Sequence, residues 1–177
     1  METDLFVHFA EIAGVFVGFG ALISQRSARP TDPHDVVYLR AVLGLGVWVV
    51  FAALVPIAVS RYDVNEVVLW RSCAVVALAA WATFLVAFSL TADSRSLNSS
   101  PERLDRFFPV VGLPLHIATA GSLLLVIVGF WPERDQALYV TALTAGVIFA
   151  GYTLLALVMS QNQAADLAQM EHDNKPE

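Results

Sequence analysis

The chain has 177 residues, 57% hydrophobic and only 15% charged, with a formal net charge of −6 and a mean hydropathy of +0.65. A soluble domain of this size carries charge nearer ~25%, and a soluble helical protein would need polar helices to cover its apolar ones, which this chain lacks. The acidic balance, part of it in the tail from Asp166 to Glu177, argues against nucleic acid as a partner.

Charge-free runs cover residues 41–60, 72–92, 107–132 and 136–165, against the roughly 20 residues that a spanning helix needs. Charge returns at the end of each run, as expected when ions are kept to the interfaces. The expected fold is therefore all-α: a polytopic integral membrane protein with five transmembrane helices over about 5–25, 36–60, 67–90, 109–131 and 137–160. The predicted location is the cytoplasmic (inner) membrane of a bacterium.

The first span follows Glu2 and Asp4 in place of a basic n-region, and Arg26 and Arg29 come after it. It lacks a polar-flanked small-x-small cleavage site and reads as a retained helix, not as a secretion signal. It is also the one span with an acidic residue inside it, Glu11. At 100° per residue, Asp4, His8, Glu11, Gly14 and Gly18 lie within about 60° of Glu11, with Phe6, Phe9 and Phe16 roughly opposite. In hydrocarbon the aromatic side is expected to face lipid. The polar stripe must then face protein or water, because a carboxylate in lipid costs several kcal/mol. The Ala10-xxx-Gly14-xxx-Gly18 spacing lets a helix approach closely, either within the bundle or from a second copy.

The second span carries Arg40 near its start, where the guanidinium snorkels to the headgroups, and Pro56, which predicts a local bend. Asp63 with Glu66 predicts a capping box opening the third helix. Arg71 lies about 6 Å into that helix and Glu11 about 9 Å into the first, by helix rise, so a structural Glu11–Arg71 pair is one expectation. Cys73 is the one cysteine, placed mid-span as a small apolar side chain. Trp70 and Trp131 are expected in an interfacial aromatic belt.

Ser99 and Glu102, around Pro101, predict a short interfacial helix presenting Leu104, Phe107 and Phe108. Pro109 and Pro114 predict a break or kink where the fourth span begins. His116, with Thr119 and Ser122 nearby, is expected to make a hydrogen-bonded contact between helices. Haem ligation by His8 and His116 is excluded, because helix rise separates them by about 15 Å. No other His, Cys or carboxylate cluster has metal-ligand spacing, and no cofactor is expected. In the fifth span Ala142, Gly146 and Ala150 form a second close-packing face. Residues 161–177 read as a cytoplasmic polar tail, helical at first and then disordered.

Five spans put Arg61, Arg71 and Arg134 on one side, and Arg26, Arg29, Arg40, Arg95, Arg103, Arg106 and Lys175 on the other. The richer side is the cytoplasmic one, so the N-terminus is expected outside and the C-terminus inside. Motifs for a catalytic Ser, a zinc protease, a phosphate loop or a dinucleotide site are absent from the sequence, so the expected function is not enzymatic. Two readings follow. In the first, the chain forms a small homo-oligomeric channel or permease whose Glu11 stripe lines a vestibule for a monovalent or divalent cation. In the second, it is a non-transporting assembly or sensor protein in which Glu11 and Arg71 are structural partners.

Overall fold

The computed structural model describes residues 3–26, 33–90 and 103–173, except the side chains of 24, 26, 33–35, 103–109 and 162–173. These residues are helical throughout, apart from short turns. The helices are α1 (Thr3–Arg26), α2 (Pro33–Val59), α3 (Glu66–Leu90), α4 (Arg103–Val128) and α5 (Asp135–Asp173). One 3-10 turn, Ser60–Tyr62, follows α2, and another, Pro132–Arg134, precedes α5. All five helices are long and apolar enough to cross a membrane. At 1.5 Å per residue α5 is about 58 Å long, well beyond the ~30 Å that a hydrocarbon layer measures.

The buried shares of the apolar stretches show which helices are central. Half of the α5 stretch (50%) and 44% of the α2 stretch are buried, against 17% for α1 and α3. Small residues let the central pair meet. Ala142 and Ala150 are buried on α5, and a side chain at Gly146 would stand 2.6 Å from the Trp48 ring of α2. The expected close-packing face of the fifth helix is thus seated on α2.

Hydrogen bonds from Trp48 and Tyr139 cross this apolar core. Trp48 donates its indole N–H to the Ala77 carbonyl of α3 at 2.9 Å. Tyr139 of α5 donates its hydroxyl to the Ala52 carbonyl of α2 at 2.7 Å. The second bond has a cause in the sequence. Pro56, four residues after Ala52, has no N–H to offer that carbonyl, and an unpaired buried carbonyl is costly. Tyr139, fully buried, supplies the missing donor.

Several local expectations need correction. Asn65, not Asp63, caps α3: its Oδ1 accepts the Val67 N–H at 2.9 Å. Asp63 instead takes the left-handed conformation, φ 48°, which a short polar side chain tolerates. Of the break or kink expected at Pro109 and Pro114 the break is absent, because α4 runs through both prolines. Trp70 is 2% exposed and belongs to the core, in ring contact with Phe6 and Tyr139 at 5.9 and 5.7 Å. Trp131, 49% exposed, does lie at the surface. The Ser99–Glu102 cap and the side chains of Leu104, Phe107 and Phe108 fall outside the described residues.

Removing the Tyr139 hydroxyl should expose the role of Pro56. Tyr139→Phe orphans the Ala52 carbonyl and should destabilise the folded protein by about 1–3 kcal/mol. In a Pro56→Ala background the helix regains its own donor, so the same change should cost clearly less. Unfolding in mixed micelles read as a double-mutant cycle measures the coupling; equal penalties in the two backgrounds would exclude this account.

Candidate functional site

The first helix is turned opposite to the expectation. Phe6 is fully buried, and Phe9 packs against the main core. Phe16 packs against a second cluster built on Leu45, Phe149 and Ala150. The aromatic side of α1 therefore faces the bundle. The small residues that bring α1 close to α2 are Ala13, Gly20 and, on α2, Gly46. A side chain at Gly46 would stand 2.5 Å from Val17 and 3.3 Å from the Ala13 carbonyl oxygen. Aromatic rings offer the largest contact area, and Phe6 spends its ring on Trp70 of α3 and Tyr139 of α5.

The polar stripe consequently leaves the bundle. Asp4, His8, Glu11, Gly14 and Gly18 are all exposed. A side chain at Gly14 or Gly18 would meet nothing within 4 Å, which corrects the expected packing of these two glycines inside the bundle; Ala10 does pack against the core. His8 Nδ1 and Glu11 Oε2 are 3.1 Å apart, with both side chains about two-thirds exposed (67% and 65%). One turn separates them along a shared face, the spacing at which helix side chains meet. Glu11 lies about 12 Å along the axis from Thr3, inside the apolar stretch Thr3–Ile23. On the same outward side Val15, Phe19 and Leu22 are more than half exposed, at 53%, 54% and 62%.

Glu11 and Arg71 are not brought together, and this expectation is corrected. Arg71 instead reaches the end of α4. Gly129 adopts φ +71°, and any side chain there would collide with the Arg71 guanidinium. The Gly129 and Phe130 N–H groups donate back to the Val126 and Leu125 carbonyls at 3.1 and 3.2 Å. This pairing is a Schellman ending, for which glycine is the favoured residue. Arg71 lies close enough to act electrostatically on Asp135, the first residue of α5. Asp135 is 1% exposed, and neither of its carboxylate oxygens has a hydrogen-bond partner; Arg71 Nε is likewise buried and unpartnered.

His116 also departs from expectation. It sits edge-on between two rings, 5.4 Å from Trp81 and 4.9 Å from Phe149. Thr119, the expected partner, turns its hydroxyl back onto the Leu115 carbonyl of its own helix at 2.9 Å. In an apolar bundle a ring contact satisfies the bulk of an imidazole, and Thr is served by its own backbone. Arg40 is exposed on α2. Among the described residues, no three His, Cys, Asp or Glu side chains gather to hold a metal ion.

Sequence reasoning missed Asp135 because it stands between Pro132 and the charge-free run of the fifth span, where a carboxylate reads as interfacial. The available signal was its spacing of four from Tyr139, which puts both on one helical face. No family model matches the chain, and no curated protein or solved structure matches it either.

The contact between Gly129 and Arg71 generates a direct test. Gly129→Ala forces an alanine into the left-handed region, which costs about 1–2 kcal/mol, and also displaces the guanidinium. It should destabilise the protein by at least that amount, whereas Gly121→Ala, with nothing within 4 Å of its added carbon, should be tolerated. Unfolding midpoints of the two variants in mixed micelles check the contrast.

Proposed function

We propose that this chain is the subunit of a small homo-oligomeric membrane channel or permease, with the acidic stripe of α1 turned toward a shared axis. One observation carries the proposal: a hydrogen-bonded His8–Glu11 pair stands on the outward surface of a membrane-length helix, above two glycines with open space around them. An ionisable pair facing hydrocarbon is expensive. A second copy, or water held between copies, removes that cost. The bare Gly14 and Gly18 surface is shaped for close helix approach, and His8 with Glu11 then lines the vestibule that the packed copies enclose.

In that arrangement a ring of carboxylates selects for cations. Val15 and Leu22 continue the exposed side toward the other end of α1 and supply an apolar constriction, able to gate by dewetting. The distribution of basic residues supports an orientation with the N-terminus outside and the C-terminus inside, in a bacterial cytoplasmic membrane. The competing reading is a non-transporting assembly protein whose stripe seals against another protein. It loses the Glu11–Arg71 pair that motivated it and keeps only the outward stripe.

Flux assays on purified protein in liposomes decide between them. Wild type should pass small cations. Glu11→Gln should retain the fold and lower cation preference, since removing one charge at contact distance in water is worth about 1 kcal/mol, roughly fivefold in local cation concentration. Gly14→Leu with Gly18→Leu should leave the single chain folded and abolish its self-association, read by cross-linking or light scattering. A wild-type protein that stays monomeric and passes no ion removes the proposal.

A further inference from the structure

A second ionisable site lies apart from the α1 stripe and does not depend on its role. Asp135 opens α5 at the end of the bundle where Phe6, Trp70 and Tyr139 stack, one helical turn before Tyr139. Its side chain is buried, and both carboxylate oxygens lack any hydrogen-bond donor. Its own N–H is spent on the Pro132 carbonyl. Arg71 attracts it across the gap between α3 and α5 but makes no salt bridge with it, because the guanidinium rests on the Gly129 turn.

A buried carboxylate with no donor and no contacting cation is too costly to persist in charged form. Two arrangements relieve the cost. Either the carboxyl holds a proton, with Arg71 withdrawn as seen, or it is ionised and Arg71 moves off Gly129 to meet it. The positive end of the α5 dipole and Arg71 favour the second arrangement, while burial without donors favours the first.

We infer that Asp135 is a proton-binding site, in which a proton from solvent and the Arg71 guanidinium compete for one buried carboxylate. The other ionisable groups near this end do not take part. Glu66 of α3 accepts the Trp70 indole N–H at 3.5 Å. The Tyr139 hydroxyl is committed to Ala52, and the Cys73 thiol is buried one turn further along α3. Asp4 and His8 of α1, Arg61 after α2, and Glu133 and Arg134 before α5 are all exposed to the surroundings of the bundle. The described end of α4 has no ionisable side chain. The exchange moves no electrons: the carboxyl O–H forms from a solvent proton, and the guanidinium keeps its charge in both arrangements. Because Arg71 leaves Gly129 in one of them, proton binding is coupled to the turn that joins α4 to α5.

Infrared spectroscopy of the full chain in bilayers tests this inference, with carbon-13-labelled aspartate identifying the C=O stretch of a protonated aspartic acid. At a pH where exposed carboxylates are ionised, wild type should show such a band, and Asp135→Asn should remove it. Where Asp135→Asn does not fold, Asp135→Glu retains a carboxyl but abolishes the response to labelled aspartate. Alkaline titration should bleach the band in wild type and leave it in Arg71→Gln, where the competing cation is gone. A wild-type spectrum without the band, or a band that survives both Asp135 variants, overturns the assignment. An Arg71→Gln band that bleaches as in wild type overturns the competition.

Discussion

The bundle depends on how a single backbone carbonyl is satisfied. Pro56 removes the donor that the Ala52 carbonyl would have had within α2, and the Tyr139 hydroxyl on α5 replaces it at 2.7 Å. In an apolar core an unpaired carbonyl is a standing penalty, so this bond ties the two central helices at a defined register. The register then dictates the rest of that end. Tyr139 in this position brings its ring against Trp70 and Phe6, which anchors α3 and the start of α1 to the same cluster. Asp135, one turn earlier on α5, is thereby buried beside Arg71 with no donor of its own. A hydrogen bond that repairs one orphan leaves another nearby.

The large elements were legible because their signals are lengths and absences. Four charge-free runs and one apolar stretch interrupted only by Glu11 set the number of helices and most of their ends to within a few residues, and small residues four apart on α5 marked its contact with α2. What the sequence could not reveal was which side of α1 faces the bundle. The usual inference places polar residues outward and apolar residues inward by reference to water. A helix apolar enough to cross a membrane would meet surroundings as apolar as the core there, so Phe6, Phe9 and Phe16 would fit either environment. The choice is made by shape: Gly46 opens a recess on α2 that takes the Val17 side chain and the Ala13 carbonyl of α1, Gly20 of α1 admits Val42 and Leu43 of α2, and the rings follow the helix inward.

Single-residue assignments were less legible, for a related reason. Asp63 and Asn65 both suit a helix cap, and the backbone decides between them by turning left-handed at Asp63. Trp70 has the amphipathic side chain of an interfacial residue, but its neighbours are two other aromatic rings whose contacts outweigh an exposed position. Pro56 was read as a bend in α2. Its further consequence, a carbonyl in need of a donor, points to a hydroxyl on another helix, and Tyr139 could have been sought on that ground.

The two ionisable sites invert the familiar relation between exposure and pairing. His8 and Glu11 are paired with each other and face outward, where a single chain provides no other partner. Arg71 Nε and the Asp135 carboxyl are both buried, yet they remain out of contact. Each site is incomplete in its own way, and the incompleteness points in a different direction. The outer pair sits above glycines with open space around them, and under the proposed function its missing surroundings are supplied by assembly. The inner pair is already enclosed by α3, α4 and α5, so its missing contact is a matter of motion within one chain. Burial makes that motion consequential, because a change of charge at a site without solvent must be answered by the protein itself, and the nearest movable element is the Gly129 turn on which Arg71 rests.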